Sequence, residues 1–342
     1  MFNLLAISTT VYSGQTTAPP AGDVPFYGLT LVSNGPATFG LVRVESSSGG
    51  TTLIGPEHNE LFGCSDLVAV ADGVFFYFGD TSSGSTLVGL NLTDGTEVCS
   101  KPVDVHEVGY VGMGQTLDYD ASTKTLVLSG IVNATSHGVF RSPASGCGPF
   151  KAAGAYGEAA FLPMLHSSTF DAAGQRLFLL LATTKSTTSV GVVQLGSGGG
   201  KPLSMRVIAE GATDPDDTLI GMHWDHATSS LYGITASQAT GLELHSLQPD
   251  TTVSEVPTWK HQQVSGVPSD WNALLGNSAT VSTFKDGAVT FIAGVQDAQG
   301  NIASQFFASV DVATAALRAH PKLAPIGLGN SELLALTTAG SV

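Results

Sequence analysis

Trp224-Asp225-His226-Ala227-Thr228-Ser229-Ser230-Leu231-Tyr232 ends one apolar run on an aromatic–aspartate pair, passes through a short polar turn and opens a second apolar run at Leu231. The same arrangement occurs twice upstream, as Tyr119-Asp120-Ala121-Ser122-Thr123-Lys124-Thr125-Leu126-Val127 and as Phe170-Asp171-Ala172-Ala173-Gly174-Gln175-Arg176-Leu177-Phe178. The three aspartates are spaced by 51 and 54 residues. A period of that length marks a supersecondary unit repeated along the chain.

Around these joins each unit divides into four short strand signals separated by turn residues. The second unit reads as strands at 67–71, 74–79, 86–92 and 96–99, with Asp72-Gly73 and Asp94-Gly95 as two-residue hairpin turns. The third reads as 115–119, 125–131, 138–141 and 149–152, and the fourth as 167–170, 176–182, 189–195 and 204–208. The fifth is 220–224, 230–235, 241–247 and 253–259, and the sixth 279–284, 288–294, 305–310 and 316–320, with Asp286-Gly287 at its first turn. The first unit has strands at 26–32, 39–44 and 52–54, after a Pro-rich linker or loop at 15–25.

The second strand of a unit is close to continuously apolar, most clearly in Leu177-Phe178-Leu179-Leu180-Leu181-Ala182. A sheet with one wet face alternates apolar and polar residues, so a continuous run means that both faces are covered. Sheets standing face to face around an axis cover both faces, whereas a sandwich covers one face of each sheet. The expectation is therefore an all-β chain, a single β-propeller domain over 1–342. It has six, alternatively seven, four-stranded antiparallel blades. Leu328-Gly329-Asn330-Ser331 echoes Leu275-Gly276-Asn277-Ser278, so 328–338 is read as a strand that closes the ring with the N-terminal strands. Residues 2–10 read as a strand, and as an extra sheet in the seven-blade alternative. They lack the basic flank of a signal peptide, so a signal, if the protein is exported, has been removed or lies outside this numbering.

The aromatic-Asp-x-x-(Thr/Gly)-x-x-Leu join resembles the β-propeller superfamily, broadly its YncE-like and NHL-like members, over residues 26–340. WD-repeat and kelch signatures are absent. Propellers host hydrolases, lyases, lectins and scaffolds, so the resemblance implies architecture and leaves function open.

Composition narrows the partners. Net charge is −15 with 13 Lys and Arg, and charged residues make up 12% of the chain, about half the usual share. Phosphate backbones and anionic membranes need clustered cations, so neither nucleic acid nor membrane insertion is expected. An acidic surface rich in Gly, Ser and Thr points to a secreted or cell-surface setting. Asn91-Leu92-Thr93 and Asn133-Ala134-Thr135 are glycosylation sequons at turn-like positions, expected to carry glycans on Asn91 and Asn133. Cys64, Cys99 and Cys147 lack metal-ligand spacing. They can form one disulfide with one thiol over, or stay as buried thiols.

Chemistry has one recurring candidate. An acidic residue precedes the innermost strand of four units: Glu60, Glu107, Glu158 and Asp217, with Asn272 in the corresponding place of the sixth. If these loops enter the central channel from one face, four carboxylates ring its mouth and would suit Ca2+ or another hard cation. The plain reading is a solvated acidic rim. His106, His166 and His223 sit in or before innermost strands without sharing a repeat column. His58 with Glu57 and Glu60, or His106 with Glu107, makes a mixed site only if neighbouring blades bring them together. Asp120, Asp171 and Asp225 are read as turn residues whose carboxylates accept backbone N–H groups. No nucleophile elbow, zincin motif, phosphate loop or dinucleotide fingerprint is present.

Two functions follow. The first is a non-catalytic extracellular binding or assembly module for a protein or glycan partner, including a structural subunit of a surface assembly. The second is a metal-dependent propeller hydrolase or lactonase with its site at the central channel. The missing motifs favour the first.

Overall fold

A computed structural model describes residues 25–34, 37–59, 68–81, 84–103, 116–133, 136–156, 161–183, 188–195, 203, 205–210, 218–237, 241–249, 259–269, 271, 282–296, 302–319, 321–324 and 337–338. Among them every helix-or-strand element is a strand, and the strands form six four-stranded antiparallel sheets. Blade 1 contains β1 (Pro25–Asn34), β2 (Ala37–Glu45) and β3 (Thr51–Asn59). Blade 2 contains β4 (Val68–Ala71), β5 (Val74–Thr81), β6 (Gly84–Asn91) and β7 (Glu97–Pro102). Blade 3 contains β8 (Thr116–Asp120), β9 (Thr125–Asn133), β10 (Ser136–Pro143) and β11 (Lys151–Tyr156). Blade 4 contains β12 (Phe161–Asp171), β13 (Arg176–Thr183), β14 (Thr188–Gln194) and β15 (Met205–Glu210). Blade 5 contains β16 (Thr218–Asp225), β17 (Ser230–Ser237), β18 (Gly241–Leu247) and β19 (Lys260–Gln263). Blade 6 contains β20 (Ser282–Lys285), β21 (Ala288–Gln296), β22 (Ile302–Asp311) and β23 (Ala316–Ala319). The last strand, β24 (Thr337–Thr338), completes blade 1 by pairing Phe26 with Thr338 and Tyr27 with Thr337.

The ring is therefore six-bladed and closed by its C-terminal strand. A second tie joins blades 6 and 1 farther along. Ala324 N–H donates to Gly49 O at 3.0 Å, and Thr51 Oγ1 donates to Ala324 O at 2.9 Å. Residues 2–10 and most of the 15–25 linker lie outside the described residues, and Pro25 already belongs to β1.

Alternation along the second strands explains why they read as continuous apolar runs. Leu177 and Leu179 of β13 pack against blade 3, while Phe178 and Leu180 pack against blade 5. In β5, Phe75 and Tyr77 face blade 1, and Phe76 and Phe78 face blade 3. Six apolar clusters result, one at each blade–blade interface around the ring. Burial on both faces makes each middle strand a shared core element, and truncating such a side chain to Ala costs about 2–5 kcal/mol.

Two details differ from the sequence reading. The fourth strand of blade 5 is β19 at Lys260–Gln263, not 253–259. The apolar end of that stretch, Trp259, is buried in the interface with blade 4, whereas all four residues of β19 are exposed. An outermost strand packs on one side only, so its hydrophobic signal is weak. Asp94-Gly95 is not a two-residue hairpin, because β6 ends at Asn91 and β7 begins at Glu97. Gly95 adopts φ +68°, and a Cβ there would lie 2.1 Å from Ile54 O of blade 1. The glycine serves a close backbone approach between blades 1 and 2.

Candidate functional site

The aromatic–aspartate turns lie where β8 meets β9, β12 meets β13 and β16 meets β17. Each carboxylate accepts from the turn backbone. Asp120 Oδ1 accepts Ser122 N–H at 3.0 Å, Asp171 Oδ1 accepts Gly174 N–H at 2.9 Å, and Asp225 Oδ1 accepts Ala227 N–H at 2.9 Å. Each turn ends on a residue with left-handed φ: Lys124 at 54°, Gln175 at 50° and Ser229 at 52°.

Sequence reading missed a second role for Asp120, which is to tie blades 3 and 4 together. Gln175 of blade 4 donates Nε2–H to Asp120 Oδ2 of blade 3 at 2.9 Å, and Arg141 donates to the same oxygen at 3.1 Å. Burial raises the affinity of the Asp120 carboxyl for its proton, but bonds from Ser122, Gln175 and Thr123 outweigh it and the pKa is lowered. Tyr119 Oη of blade 3 donates to Asp72 of blade 2 at 3.3 Å. Arg176 binds Asp171 through Nε at 2.9 Å and lies 5.0 Å above the Trp224 ring of blade 5. His226 Nδ1 accepts the Trp224 indole N–H at 3.2 Å and stands 3.5 Å from Asp171 Oδ1. A nitrogen that accepts the indole proton carries none itself, so that last contact is an ion pair only in protonated His226. These groups form a lacing between blades 2 to 5 on the turn face.

Toward the axis, His223 of β16 shares a 2.9 Å hydrogen bond with Ser282 Oγ of β20. Gly221 makes room for that hydroxyl, since a Cβ there would lie 1.9 Å from it. Enclosure by the two blades pushes the His223 imidazole down to about 4, so it is neutral at physiological pH. Beside it, Trp224 N–H donates to Thr169 Oγ1 of blade 4 at 3.1 Å. His223 thus links neighbouring innermost strands.

A third cluster lies on the blade 4 side of blade 5. His245 of β18 is paired with His261 of β19, and Glu243 is two residues along β18 on the same face. Glu243 Oε2 is 3.8 Å from His245 Nε2 and 3.5 Å from His261 Nδ1. His245 Nε2 is also 2.8 Å from Thr235 Oγ1. Burial pushes His245 down to about 4, with Glu243 pulling the other way and His261 adding to the fall. Two buried polar atoms here, His245 Nδ1 and Trp259 Nε1, have no hydrogen-bond partner. The sequence signal was present as Glu243-x-His245 in one strand, but the facing His261 became legible only once β19 was placed.

The residues singled out from sequence divide sharply. Glu60, Glu107, Glu158, Asp217, Asn272 and His106 lie outside the described residues, so the acidic loop series has no geometry here. Among the described residues no three His, Cys, Asp or Glu side chains stand closed about a point fit for a metal ion. His58 bonds through Nε2 to Gly95 O at 3.0 Å, and Glu57 accepts from Thr38 at 2.8 Å, so these two are engaged in blade packing. His166 lies on β12. Asn91 ends β6, its Oδ1 accepting Thr93 N–H at 2.8 Å in a turn closed on itself, and Asn133 ends β9.

Of the cysteine alternatives, one disulfide is found: Cys99 of β7 is bonded to Cys147 in the turn before β11. It joins blades 2 and 3 at their outer rim and lies over the cluster of Phe76, Phe78, Leu128 and Phe150. Cys64 lies outside the described residues.

No family model matches the chain, and no curated protein matches it. Solved structures do. A 6-phosphogluconolactonase candidate from Bacteroides fragilis is similar with a TM-score of 0.50 at 12% identity, over 94% of this chain and 100% of that one. A TolB from Acinetobacter baumannii gives 0.43 at 11% identity, over 69% of this chain and 57% of that one. An exo-β-1,3-galactanase from Phanerochaete chrysosporium gives 0.44 at 11% identity, over 78% and 65%. At such identities the likeness concerns fold, and function has to be argued from sites. The chain is a six-bladed β-propeller.

Proposed function

We propose that this protein is an exported, non-catalytic binding module that uses its propeller as a rigid platform for a protein or glycan partner. The observation that carries the exported setting is the Cys99–Cys147 disulfide, because structural disulfides persist in oxidising compartments and are rare in the cytosol. Asn91 and Asn133, the last residues of β6 and β9, are the proposed glycan carriers in that setting. A binding role is supported by the turn face. There Asp120, Asp171 and Asp225 are committed to backbone amides, and Asp120 and Asp171 also to guanidinium groups, rather than to proton transfer. Recognition is assigned to the acidic series Glu60, Glu107, Glu158 and Asp217, which precede β4, β8, β12 and β16 in the chain. With a net charge of −15, the chain favours a basic partner, directly or through Ca2+.

The test is fractionation of the source cells followed by thiol counting on the native protein. Recovery outside the cytosol with one reactive thiol per chain, and a mass shift on enzymatic deglycosylation, is the expected result. Recovery from cytosol with three free thiols would sink the exported reading. Hydrolysis of a lactone or glycoside that is lost on Glu107→Gln would replace binding with catalysis.

A further inference from the structure

The geometry points to a carboxylate-binding site between blades 1 and 2, built on the Arg43 guanidinium with the hydroxyls of Tyr27 and Thr52 beside it. It is separate from the acidic loop series and does not rest on the binding role above.

Register shows what this arginine lacks. Arg141 of β10 pairs with Val127 of β9, and Arg43 of β2 pairs with Tyr27 of β1, so the two hold the same place in blades 3 and 1. Each faces the following blade, since Val127 packs between blades 3 and 4 and Tyr27 between blades 1 and 2. Arg141 is satisfied twice, by Asp120 Oδ2 at 3.1 Å and by Gln175 Oε1 of blade 4. Neither partner has a counterpart in blades 1 and 2. Tyr119, which precedes Asp120, pairs with Leu126; in the same place Thr338 pairs with Phe26, and the next residue in the sequence is Ala339 rather than an aspartate. Gln175 stands immediately before β13, whereas Gly73 stands immediately before β5, and a Cβ on Gly73 would meet no atom within 4 Å.

The guanidinium is left with donors to spare. Its Nε is buried without a hydrogen-bond partner, and its side chain is 21% exposed. Among the described residues its one ion-pair contact is Glu45 Oε1 at 3.9 Å, too long for a hydrogen bond, while Glu45 Oε2 is held by Ser48 at 3.0 Å. A largely buried guanidinium short of acceptors is costly, and a carboxylate that accepts two parallel N–H bonds removes that cost. Tyr27 and Thr52 flank Arg43 in one row across β1, β2 and β3, on the face toward blade 2. Burial raises the Tyr27 phenol while Arg43 acts against it, so the hydroxyl keeps its proton and can donate to the same ligand. The Asp120 carboxylate on Arg141 is the native precedent for the fit. A phosphate would bring a second negative charge to a chain of net charge −15, which favours the singly charged group.

The test uses the full chain labelled with 15N-arginine. There are five arginines, Arg43, Arg141, Arg176, Arg206 and Arg318, so Arg43→Lys identifies one Nε–H resonance among five. Sodium acetate, and separately an Asp-containing tripeptide blocked at both ends, replaces sodium chloride at constant ionic strength. The expected result is a saturable shift of Arg43, with the aspartate-paired Arg141, Arg176 and Arg318 and the exposed Arg206 unmoved. Tyr27→Phe should weaken binding about tenfold, the size of one hydrogen bond to a charged group. Glu45→Gln, which removes a competing carboxylate, should bind as tightly or more so. Saturation by acetate assigns a free carboxylate as ligand; saturation by the peptide alone assigns an acidic side chain of a partner protein. No saturable shift of Arg43 with either would overturn the site. A shift that Arg206 shares would be general ion association and overturn it equally. A folded Tyr27→Phe protein with unchanged affinity would exclude the Tyr27 hydroxyl from it.

Discussion

Removing the inter-blade disulfide should weaken the fold by an amount that its place in the chain sets. Cys99 and Cys147 are 48 residues apart and belong to neighbouring blades. Closing a loop of that size in the unfolded chain corresponds to about 4 kcal/mol, within the 2–5 kcal/mol common for native disulfides. A chain of 342 residues has an unfolding entropy of about 0.7 kcal/mol/K near its midpoint, so the Cys99→Ser/Cys147→Ser protein should melt about 6 °C lower. The assay is calorimetry of both proteins with and without reductant. Wild type should fall to the level of the double variant on reduction, and the double variant should ignore reductant. Buried Cys147 and half-buried Cys99 also pack against aromatic side chains, so a Cys99→Ala/Cys147→Ala pair separates packing from cross-linking. A wild-type melting temperature that reductant does not move, despite proven thiol release, would refute the reasoning.

Three further outcomes follow from the described geometry. Leu179→Ala and Leu180→Ala, adjacent in β13 but facing different blades, should each cost about 3 kcal/mol in urea denaturation. If either costs less than about 1 kcal/mol, that face of the strand is not covered. Lys124→Gly should raise stability by about 0.5–1 kcal/mol, since an exposed residue at φ 54° pays a left-handed strain that glycine avoids. Acid sensitivity should come from His223 and His245, whose folded pKa values of about 4 lie below the ordinary 6.5. Between those values the unfolded chain binds more protons, so stability is full above pH 6.5 and is lost as pH falls toward 4. His223→Asn should reduce that slope by about half, the rest coming from His245; an unchanged slope would mean the His223 imidazole is not held neutral.

The fold was largely legible because its cause is local and repeated. Covering both faces of a middle strand leaves continuous apolar runs such as Leu177–Leu180, and a turn built on Asp120, Asp171 or Asp225 leaves an aromatic–aspartate signature. Where one face is wet the signal faded: β19 is all exposed, and its place was assigned instead to the apolar stretch ending at Trp259. The turn at Asp311 uses the same construction, accepting Ala313 and Thr314 N–H, yet it sits between a third and a fourth strand and was not read as a copy. Functional clusters were less legible because they depend on register. Glu243, His245 and His261 meet only through the pairing of β18 with β19, and His223 meets Ser282 only because two blades stand side by side. Likewise Cys99 and Cys147 could be paired only when neighbouring blades were seen to bring them together.

Ring closure is the claim on which the interfaces, the lacing and the disulfide all depend, and a designed cross-link tests it directly. Tyr27 and Thr337 are strand partners although they stand at opposite ends of the described chain. In a Cys64→Ala background, Tyr27→Cys with Thr337→Cys should oxidise spontaneously within one molecule. Non-reducing peptide mass spectrometry should recover the linked pair alongside Cys99–Cys147. Two free thiols at 27 and 337, or links solely between molecules, would contradict a six-bladed ring closed by its last strand.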